Sequence, residues 1–180
     1  WNYADPTKVM MSSQYSNIVR YLGEDGYYAR TPDYGSAKSP FYSKLANANN
    51  NPDVVFTPSS SGVWRSTNFG GSWVLAPITG GWLGSASPVA VSVSVANPNI
   101  VWAGVVMSSS STSAYKLRLS KDNGQTFTST VGVLPSQFTS AGYYISGLQA
   151  SAVSESRAFV LFSSAGKGKI FKTDDFGATF

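Results

Sequence analysis

SKDNGQTF at residues 120–127, TDDFGATF at 173–180 and STNFGGSW at 66–73 share one spacing, and this spacing decides the fold. Each stretch has Ser or Thr first, Asp or Asn third, Gly fifth, Ser or Thr seventh, and Trp or Phe eighth. We call each stretch a box, numbered in chain order. The residues that define the boxes are Ser66, Asn68, Gly70, Ser72 and Trp73; Ser120, Asp122, Gly124, Thr126 and Phe127; and Thr173, Asp175, Gly177, Thr179 and Phe180.

The chemistry of a box is that of a tight turn between two strands. An Asp or Asn side chain accepts backbone N–H bonds within its own turn, and Gly adopts the left-handed backbone that a Cβ disfavours. The hydroxyls close further local bonds, and the aromatic ring anchors the turn to a sheet. The alternative for Asp122-Asn123-Gly124 is a calcium loop, but an EF-hand needs several spaced oxygen ligands and a distal bidentate Glu. We therefore predict structural turns and no metal site.

The boxes recur with strands in a constant order. Their first residues are 54 and 53 positions apart, and each box follows a strand, a short turn, a second strand, a loop and a third strand. An incomplete copy with a degenerate box precedes them, offset by 45 residues when Arg20 is aligned with Arg65. Four-stranded units at this period are typical of β-propeller blades.

We therefore predict an all-β fold, a β-propeller segment of about three and a half four-stranded antiparallel blades. The predicted units are 1–36 (a partial blade with a degenerate box), 37–80, 81–133, and 134–180 (a blade lacking its last strand). All four belong to one propeller domain. VSVSV (91–95) and KLRLS (116–120) alternate strictly, which predicts strands with one buried face. A closed propeller is longer than this chain, so we expect a fragment of a larger protein.

Composition excludes several classes of function. Charged residues make up 12% of the chain, and the net charge is +4. The basic residues are scattered singly along the sequence, which argues against a nucleic-acid partner. No run of about 18 apolar residues is present, so we expect no membrane span. Cys and His are absent, which removes thiolate and imidazole metal sites and the Ser-His-Asp and Cys-His catalytic sets. We expect no cofactor.

The boxes, with the stretch GVWRSTNFGGSW (62–73), resemble the Asp-box (BNR) repeats of sialidases, xyloglucan-degrading glycoside hydrolases and sortilin-type propellers. In those families the box is structural, which the resemblance implies for the box residues here; Asn68 departs from the usual Asp. The resemblance also implies an extracellular or cell-surface protein, of bacterial origin. The arginine triad, nucleophilic Tyr and acid of a sialidase cannot be assembled from this chain.

Binding is expected on the face opposite the boxes, where loops of variable length lie on a rigid scaffold. Aromatic residues in these loops suit the apolar faces of sugar rings, and the alternative is that each ring fills a gap between blades. Arg65, Arg118 and Lys172 precede the boxes and could form an anion site, but their repetition favours structural or solvated roles. The candidate substrate-binding residues are Tyr15, Tyr34, Trp82, Tyr143 and Tyr144.

A glycosidase usually needs two carboxylates, and the sequence offers no clear pair. Asp33, at the start of a connection between units, is the only plausible cleft carboxylate. The leading hypothesis is a glycoside hydrolase-like, carbohydrate-associated propeller module that contacts polysaccharide or oligosaccharide. The alternatives are a sortilin-like propeller that binds protein or peptide, and a scaffold within a surface or secretion assembly. Whether the chain is catalytic stays open at this point.

Overall fold

The structure, a computed structural model, describes residues 1–14, 17–34, 43–79, 82, 90–104, 117–129, 144–163 and 169–180. Those residues form strands and one 3₁₀ turn (Gly23–Asp25), with no α-helix among them and hence none able to cross a membrane. The strands are β1 (Lys8–Ser12), β2 (Ile18–Leu22), β3 (Tyr27–Ala29), β4 (Ala46–Ala48), β5 (Asn51–Ser59), β6 (Gly62–Ser66), β7 (Val74–Pro77), β8 (Ala90–Val93), β9 (Val101–Gly104), β10 (Leu117–Ser120), β11 (Thr128–Ser129), β12 (Tyr144–Ala150), β13 (Ala158–Ser163) and β14 (Lys169–Thr173).

The strands form four antiparallel sheets, each from consecutive strands. Sheet 1 is β1-β2-β3, sheet 2 is β4-β5-β6-β7, sheet 3 is β8-β9-β10-β11, and sheet 4 is β12-β13-β14. The prediction of an all-β fold with antiparallel sheets is confirmed. The number of blades and the predicted unit bounds stay predictions.

The sheets stack face to face, so the central strands of sheet 3 are buried on both sides. Val101–Gly104 and Leu117–Ser120 are buried at every position, including the charged Arg118. The prediction of one buried face for residues 116–120 is wrong for the four residues that the structure describes, because a neighbouring sheet covers each face. Arg118 Nη1 donates to the carbonyl of Leu117 at 3.2 Å, and burial lowers the pKa of this guanidinium.

Three apolar clusters fill the spaces between consecutive sheets. The first, between sheets 1 and 2, contains Met10, Ile18, Val55 and Phe69. The second, between sheets 2 and 3, contains Ala48, Val54, Phe56, Val63, Ile78, Trp82, Val93, Val101 and Ala103. The third, between sheets 3 and 4, contains Ile100, Trp102, Leu117, Leu119, Ile145, Ala150, Ala158 and Val160. The aromatic that closes each box packs against the cluster on the side of the preceding sheet; these residues are Trp73, Phe127 and Phe180.

The fifth residue of a box allows two sheets to approach closely. A Cβ added at Gly124 would lie 2.3 Å from Cε1 of Phe56, and one added at Gly70 would lie 2.5 Å from Cε of Met10. Both glycines have positive φ, 75° and 76° respectively. The box of one sheet thus sits directly on a large side chain of the sheet before it.

Gly124→Ala is expected to destabilise the protein by about 2–5 kcal/mol, because the left-handed backbone costs an alanine about 1–2 kcal/mol and overpacking adds about 1–3 kcal/mol. The matched control is Gly124→Ala in a Phe56→Val background, because the ring that the added Cβ would meet is then absent. Relative to Phe56→Val alone, it should lose only the backbone part. Urea unfolding of both variants measures the difference, and equal losses would contradict a packing role for Gly124.

Candidate functional site

The hydroxyl at the first position organises each box turn. It accepts the N–H of the box glycine, with N···O distances of 2.7 Å at Ser66, 2.7 Å at Ser120 and 2.8 Å at Thr173. The same hydroxyl donates to the side-chain oxygen of the third residue, at 3.0, 2.6 and 2.8 Å respectively. One oxygen therefore holds the turn from both sides in all three boxes.

The third-position side chain completes the turn. Its Oδ1 accepts the N–H of the seventh residue at 2.9 Å in every box. Where the third residue is Asp, the seventh hydroxyl donates to Oδ2, as Thr126 does to Asp122 at 2.5 Å. In the first box the direction reverses, and Asn68 Nδ2 donates to Ser72 Oγ at 3.2 Å. A hydroxyl can donate or accept, which explains why this turn tolerates Asn.

The fourth position has a role that sequence analysis missed. Phe69, Asn123 and Phe176 have positive φ values of 50°, 58° and 59°. This left-handed residue turns its N–H toward the start of the second strand of the same sheet or toward the turn before it. The N–H groups donate to the carbonyls of Asp53, Asn99 and Ser156 at 2.8, 2.9 and 3.0 Å. The sequence signal for this position is weak, because the boxes place two unlike residue types there, Phe and Asn.

The charge state of the boxes follows from these bonds. Hydrogen bonds from Thr179 and Thr173 lower the pKa of Asp175 to about 2. Partial desolvation acts to raise the pKa of Asp122, but bonds from Ser120, Thr126 and Gln125 outweigh it and lower that pKa. Both carboxylates are thus ionised and committed to their own turns. Within the described part of the chain, no three His, Cys, Asp or Glu side chains group closely enough to hold a metal ion.

A cleft of about 360 Å³ lies where the first strands of sheets 2, 3 and 4 come together. β4, β8 and β12 are each the edge strand of their sheet, and β8 lies beside both of the others. We call this space the inner cleft. Its lining residues are Tyr3, Leu45, Ala46, Asn47, Asn49, Val91, Ser92, Val93, Val95, Leu148 and Gln149.

The polar groups of the inner cleft are neutral. They are the amides of Asn47, Asn49 and Gln149, the hydroxyl of Ser92 and the phenol of Tyr3. Two of the amides also bond to the chain: Asn47 Nδ2 donates to the carbonyl of Pro52 at 3.1 Å, and Gln149 Nε2 donates to that of Ala150 at 3.0 Å. Such groups suit a neutral ligand with many hydroxyls or amides. No residue pattern in the sequence marked these residues, although the first strands of repeated units are neighbours at one edge of the stack.

Two of the predicted substrate-binding residues lie between sheets. Tyr34 is 7% exposed and packs edge to face on Trp64, with ring centroids 5.8 Å apart. Trp82 is 4% exposed, and its Nε1 donates to the carbonyl of Ser59 at 2.8 Å. The chain itself covers both rings, which leaves little ring surface for a sugar. Their contact with a ligand stays a prediction.

The side chains of the other three candidates lie outside the described residues. Tyr15 and Tyr143 lie outside the described residues, and Tyr144 is the first residue of β12 but its side chain is outside them. Of the two predicted residues whose side chains the structure describes, Tyr34 and Trp82, neither lines the inner cleft. Structural or solvated roles, rather than an anion site, are expected for the cations that precede the boxes. Arg118 is buried, whereas Lys172 is exposed and forms an ion pair with Asp174 at 2.7 Å.

Most acidic side chains serve the scaffold. The chain has nine Asp and Glu residues, and the structure describes the side chains of all of them except Asp25. Asp53 accepts from Asn2 at 2.7 Å, Glu155 accepts from Asn97 at 2.6 Å, and Asp174 pairs with Arg157 and Lys172. Asp5 accepts from Thr7 at 2.6 Å, and Asp122 and Asp175 belong to boxes. Glu24 and Asp33 complete the set of described acidic side chains outside the boxes.

Comparison with solved structures identifies β-propeller proteins. The GH74 xyloglucanase of Xanthomonas campestris aligns with 99% of this chain and 29% of its own, at 14% identity and a TM-score of 0.69. YCF48 bound to D1 peptide aligns over 97% of this chain and 54% of its own, at 10% identity and 0.52. A lectin of Burkholderia pseudomallei aligns over 92% and 48%, at 16% identity and 0.50.

These likenesses concern the fold. This chain spans less than a third of the length of the xyloglucanase and about half that of the other two proteins. No protein-family model matches the sequence, and no curated protein does. The chain is therefore similar in fold to the propeller of a GH74 xyloglucanase, to YCF48 and to a lectin.

Asp122→Ala is expected to cost about 1–3 kcal/mol of stability, because the N–H groups of Gln125 and Thr126 lose their acceptor. Asp122→Asn should cost well under half as much, since Asn68 performs this role in the first box. Chemical unfolding of the two variants gives the comparison. If both substitutions cost the same, the carboxylate charge rather than the acceptor geometry holds the turn.

The lowered pKa of Asp175 predicts that the stability of the protein decreases in acid. Its pKa falls from 3.8 to about 2 on folding, so its contribution is complete above about pH 4 and is lost as pH falls toward 2. Asp175→Asn should therefore make the decline in unfolding free energy over this range less steep. The reciprocal change, Asn68→Asp, should make it steeper. Denaturant midpoints measured at each pH test both, and parallel pH curves for wild type and Asp175→Asn would contradict the assignment.

Proposed function

We propose that this chain is a propeller segment of a carbohydrate-associated protein of glycoside hydrolase type, and that it binds a neutral polysaccharide or oligosaccharide. We further propose that the protein is extracellular or attached to the cell surface and bacterial. The boxes would be Asp-box (BNR) repeats, and the four sheets about three and a half four-stranded blades. Three boxes with matching hydrogen bonds support the repeat assignment.

The observation that carries this proposal is the chemistry of the inner cleft. Amide and hydroxyl groups are the donors and acceptors that match sugar hydroxyls, and no charged side chain is among the lining residues that the structure describes. Val91 and Leu148 add apolar surface beside them, which suits the C–H face of a sugar ring. The likeness to a xyloglucanase and to a lectin supports the same class of ligand.

We assign binding rather than hydrolysis to the described residues. A glycosidase places two carboxyl groups across the scissile bond, with one free to give up a proton. Here the carboxylates of Asp122, Asp174 and Asp175 are stabilised in their ionised form, since their pKa values are all lowered. None of them can act as a general acid near neutral pH. Asp33 stays the candidate cleft carboxylate from the sequence.

A second candidate function is the binding of an extended peptide. β4, β8 and β12 are edge strands, and an edge strand offers unpaired backbone N–H and C=O groups to another chain. The YCF48 propeller, similar in fold, is bound to a peptide. On this reading the amides of the inner cleft would recognise peptide groups instead of sugar hydroxyls.

Isothermal titration with xyloglucan oligosaccharides is expected to detect binding, and Gln149→Ala should weaken it about 3- to 10-fold by removing one hydrogen bond. The matched control is Gln125→Ala: both glutamines are exposed and donate to a backbone carbonyl, but Gln125 lies in a box. It should leave the affinity unchanged.

An anionic polysaccharide should bind no better than the neutral glucan, since the described part of the cleft lining contains no cationic side chain. Failure of every neutral glucan to bind would contradict the carbohydrate proposal. Binding of extended peptides with the same dependence on Gln149 would then favour the second candidate.

A further inference from the structure

The fourth and fifth positions of the second box, Asn123 and Gly124, form the only Asn-Gly pair in the sequence. Such a pair is chemically labile in a flexible peptide. The backbone nitrogen of the glycine attacks Cγ of the asparagine, the Cγ–Nδ2 bond breaks, and ammonia leaves with the proton of the attacking N–H. Glycine favours this reaction because it has no side chain to hinder the approach. The product is a five-membered succinimide ring.

Water then opens the succinimide at either of its two carbonyl carbons. Opening at the side-chain carbonyl restores the ordinary backbone and leaves Asp in place of Asn. Opening at the main-chain carbonyl leaves isoaspartate, in which the backbone runs through Cβ and Cγ and is longer by one carbon. Both routes replace an amide by an acid, so both raise the mass of the chain and add one negative charge.

The folded box holds the reacting atoms apart. Asn123 has φ 58°. At such a φ a residue other than glycine occupies the left-handed region, where ψ is about 47°. In that conformation the nitrogen of the next residue lies nearly opposite to Cβ across the Cα–C bond, and so it points away from Cγ. Attack therefore requires residue 123 to leave the left-handed region.

Two hydrogen bonds keep the turn in this conformation. Gly124 N–H donates to Ser120 Oγ at 2.7 Å, and Asn123 N–H donates to the carbonyl of Asn99 at 2.9 Å. Gly124 is also buried, next to the ring of Phe56. The attacking nitrogen therefore has its proton held by a hydroxyl and is shielded from the hydroxide that would remove it.

Neither product fits the folded box. Asn123 Oδ1 is buried and accepts no hydrogen bond, so a carboxylate in its place would be a buried charge with no donor on it. It would also follow directly on Asp122, which is itself ionised. The extra backbone carbon of isoaspartate would displace Gly124, and an added Cβ there already lies 2.3 Å from the ring of Phe56.

We propose that Asn123 is a site of spontaneous deamidation, that the folded box suppresses the reaction, and that the isoaspartate product prevents the box from forming again. The reaction takes place when the box opens or before it forms. Because this box packs on sheet 2, its loss also removes the contact between sheets 2 and 3. This modification goes beyond the proposed function, since it needs no ligand.

The other two boxes lack this labile bond, because their fourth residues are Phe69 and Phe176. Asparagine adopts the left-handed region more readily than phenylalanine does. The second box therefore has the least strained fourth residue of the three, together with the bond that is most easily lost.

Mass spectrometry of the peptide that contains residue 123 measures the reaction. The purified wild type is incubated at mildly alkaline pH, in buffer and in guanidinium chloride. We expect the unfolded chain to gain mass at this peptide, and the folded chain to do so at least about tenfold more slowly, because two hydrogen bonds must first open. Isomerisation at Asp25-Gly26 leaves the mass unchanged and is not counted. Equal rates, or no mass gain in guanidinium chloride, would overturn the proposal.

Ser120→Ala tests whether the box itself protects Asn123. Loss of the acceptor for Gly124 N–H should raise the rate in buffer at least about threefold and leave the rate in guanidinium chloride unchanged. The matched control is Ser66→Ala, which removes the same bond to Gly70 in the first box and leaves the second box intact. Equal acceleration by both substitutions would show that global unfolding controls the reaction, against the proposal. The wild-type comparison needs no variant to fold.

A refolding experiment tests the last part of the proposal. Wild type aged in guanidinium chloride is separated by ion exchange, through the added charge, and each fraction is diluted into buffer. Chains with isoaspartate at position 123 should fail to regain native tryptophan fluorescence, whereas unmodified chains aged for the same time should regain it. Asn123→Phe, which copies the other boxes, should keep its ability to refold throughout. Complete refolding of the isoaspartate chains would contradict the proposed effect on the box.

Discussion

The close contact between a box glycine and a large side chain of the preceding sheet is the constraint on which the rest of the structure depends. Gly124 against Phe56 and Gly70 against Met10 leave no room for a Cβ. This contact sets how near two sheets can approach and therefore whether the clusters between them are filled. It also gives the stack a direction, since glycine and ring lie on opposite sides of each sheet.

The hydrogen bonds of the box serve that contact. They hold the fourth and fifth residues in left-handed conformations, which cost free energy for Phe69 and Phe176 in particular. The first-position hydroxyl and the third-position oxygen offset this cost with several short bonds. A box carboxylate is ionised and hydrogen-bonded within its own turn, so the aspartates at the third position of the boxes stabilise the scaffold. Function is better sought at the inner cleft, among neutral side chains.

Much of this could be predicted from residue patterns, because the determining interactions are local. Asp122, Gly124 and Thr126 lie within a few positions of each other, and their turn chemistry is evident from spacing alone. The order of strands around each box followed from the same repeat. Alternation misled at Leu117–Ser120, because a stack of sheets buries both faces of a strand and even Arg118 between them.

The sequence by itself determined the antiparallel all-β class, the repeat and the turns, since each depends on residues close in the chain. Only the tertiary structure decided which side chains meet across sheets. Asn49, Ser92 and Gln149 come from three different units and share a cleft because their strands are neighbouring inner edges. Tyr34 and Trp82 looked like loop aromatics, yet they are covered in the gaps between sheets. Which side chains meet depends on how whole sheets stack, and no local sequence pattern encodes the distance between two sheets.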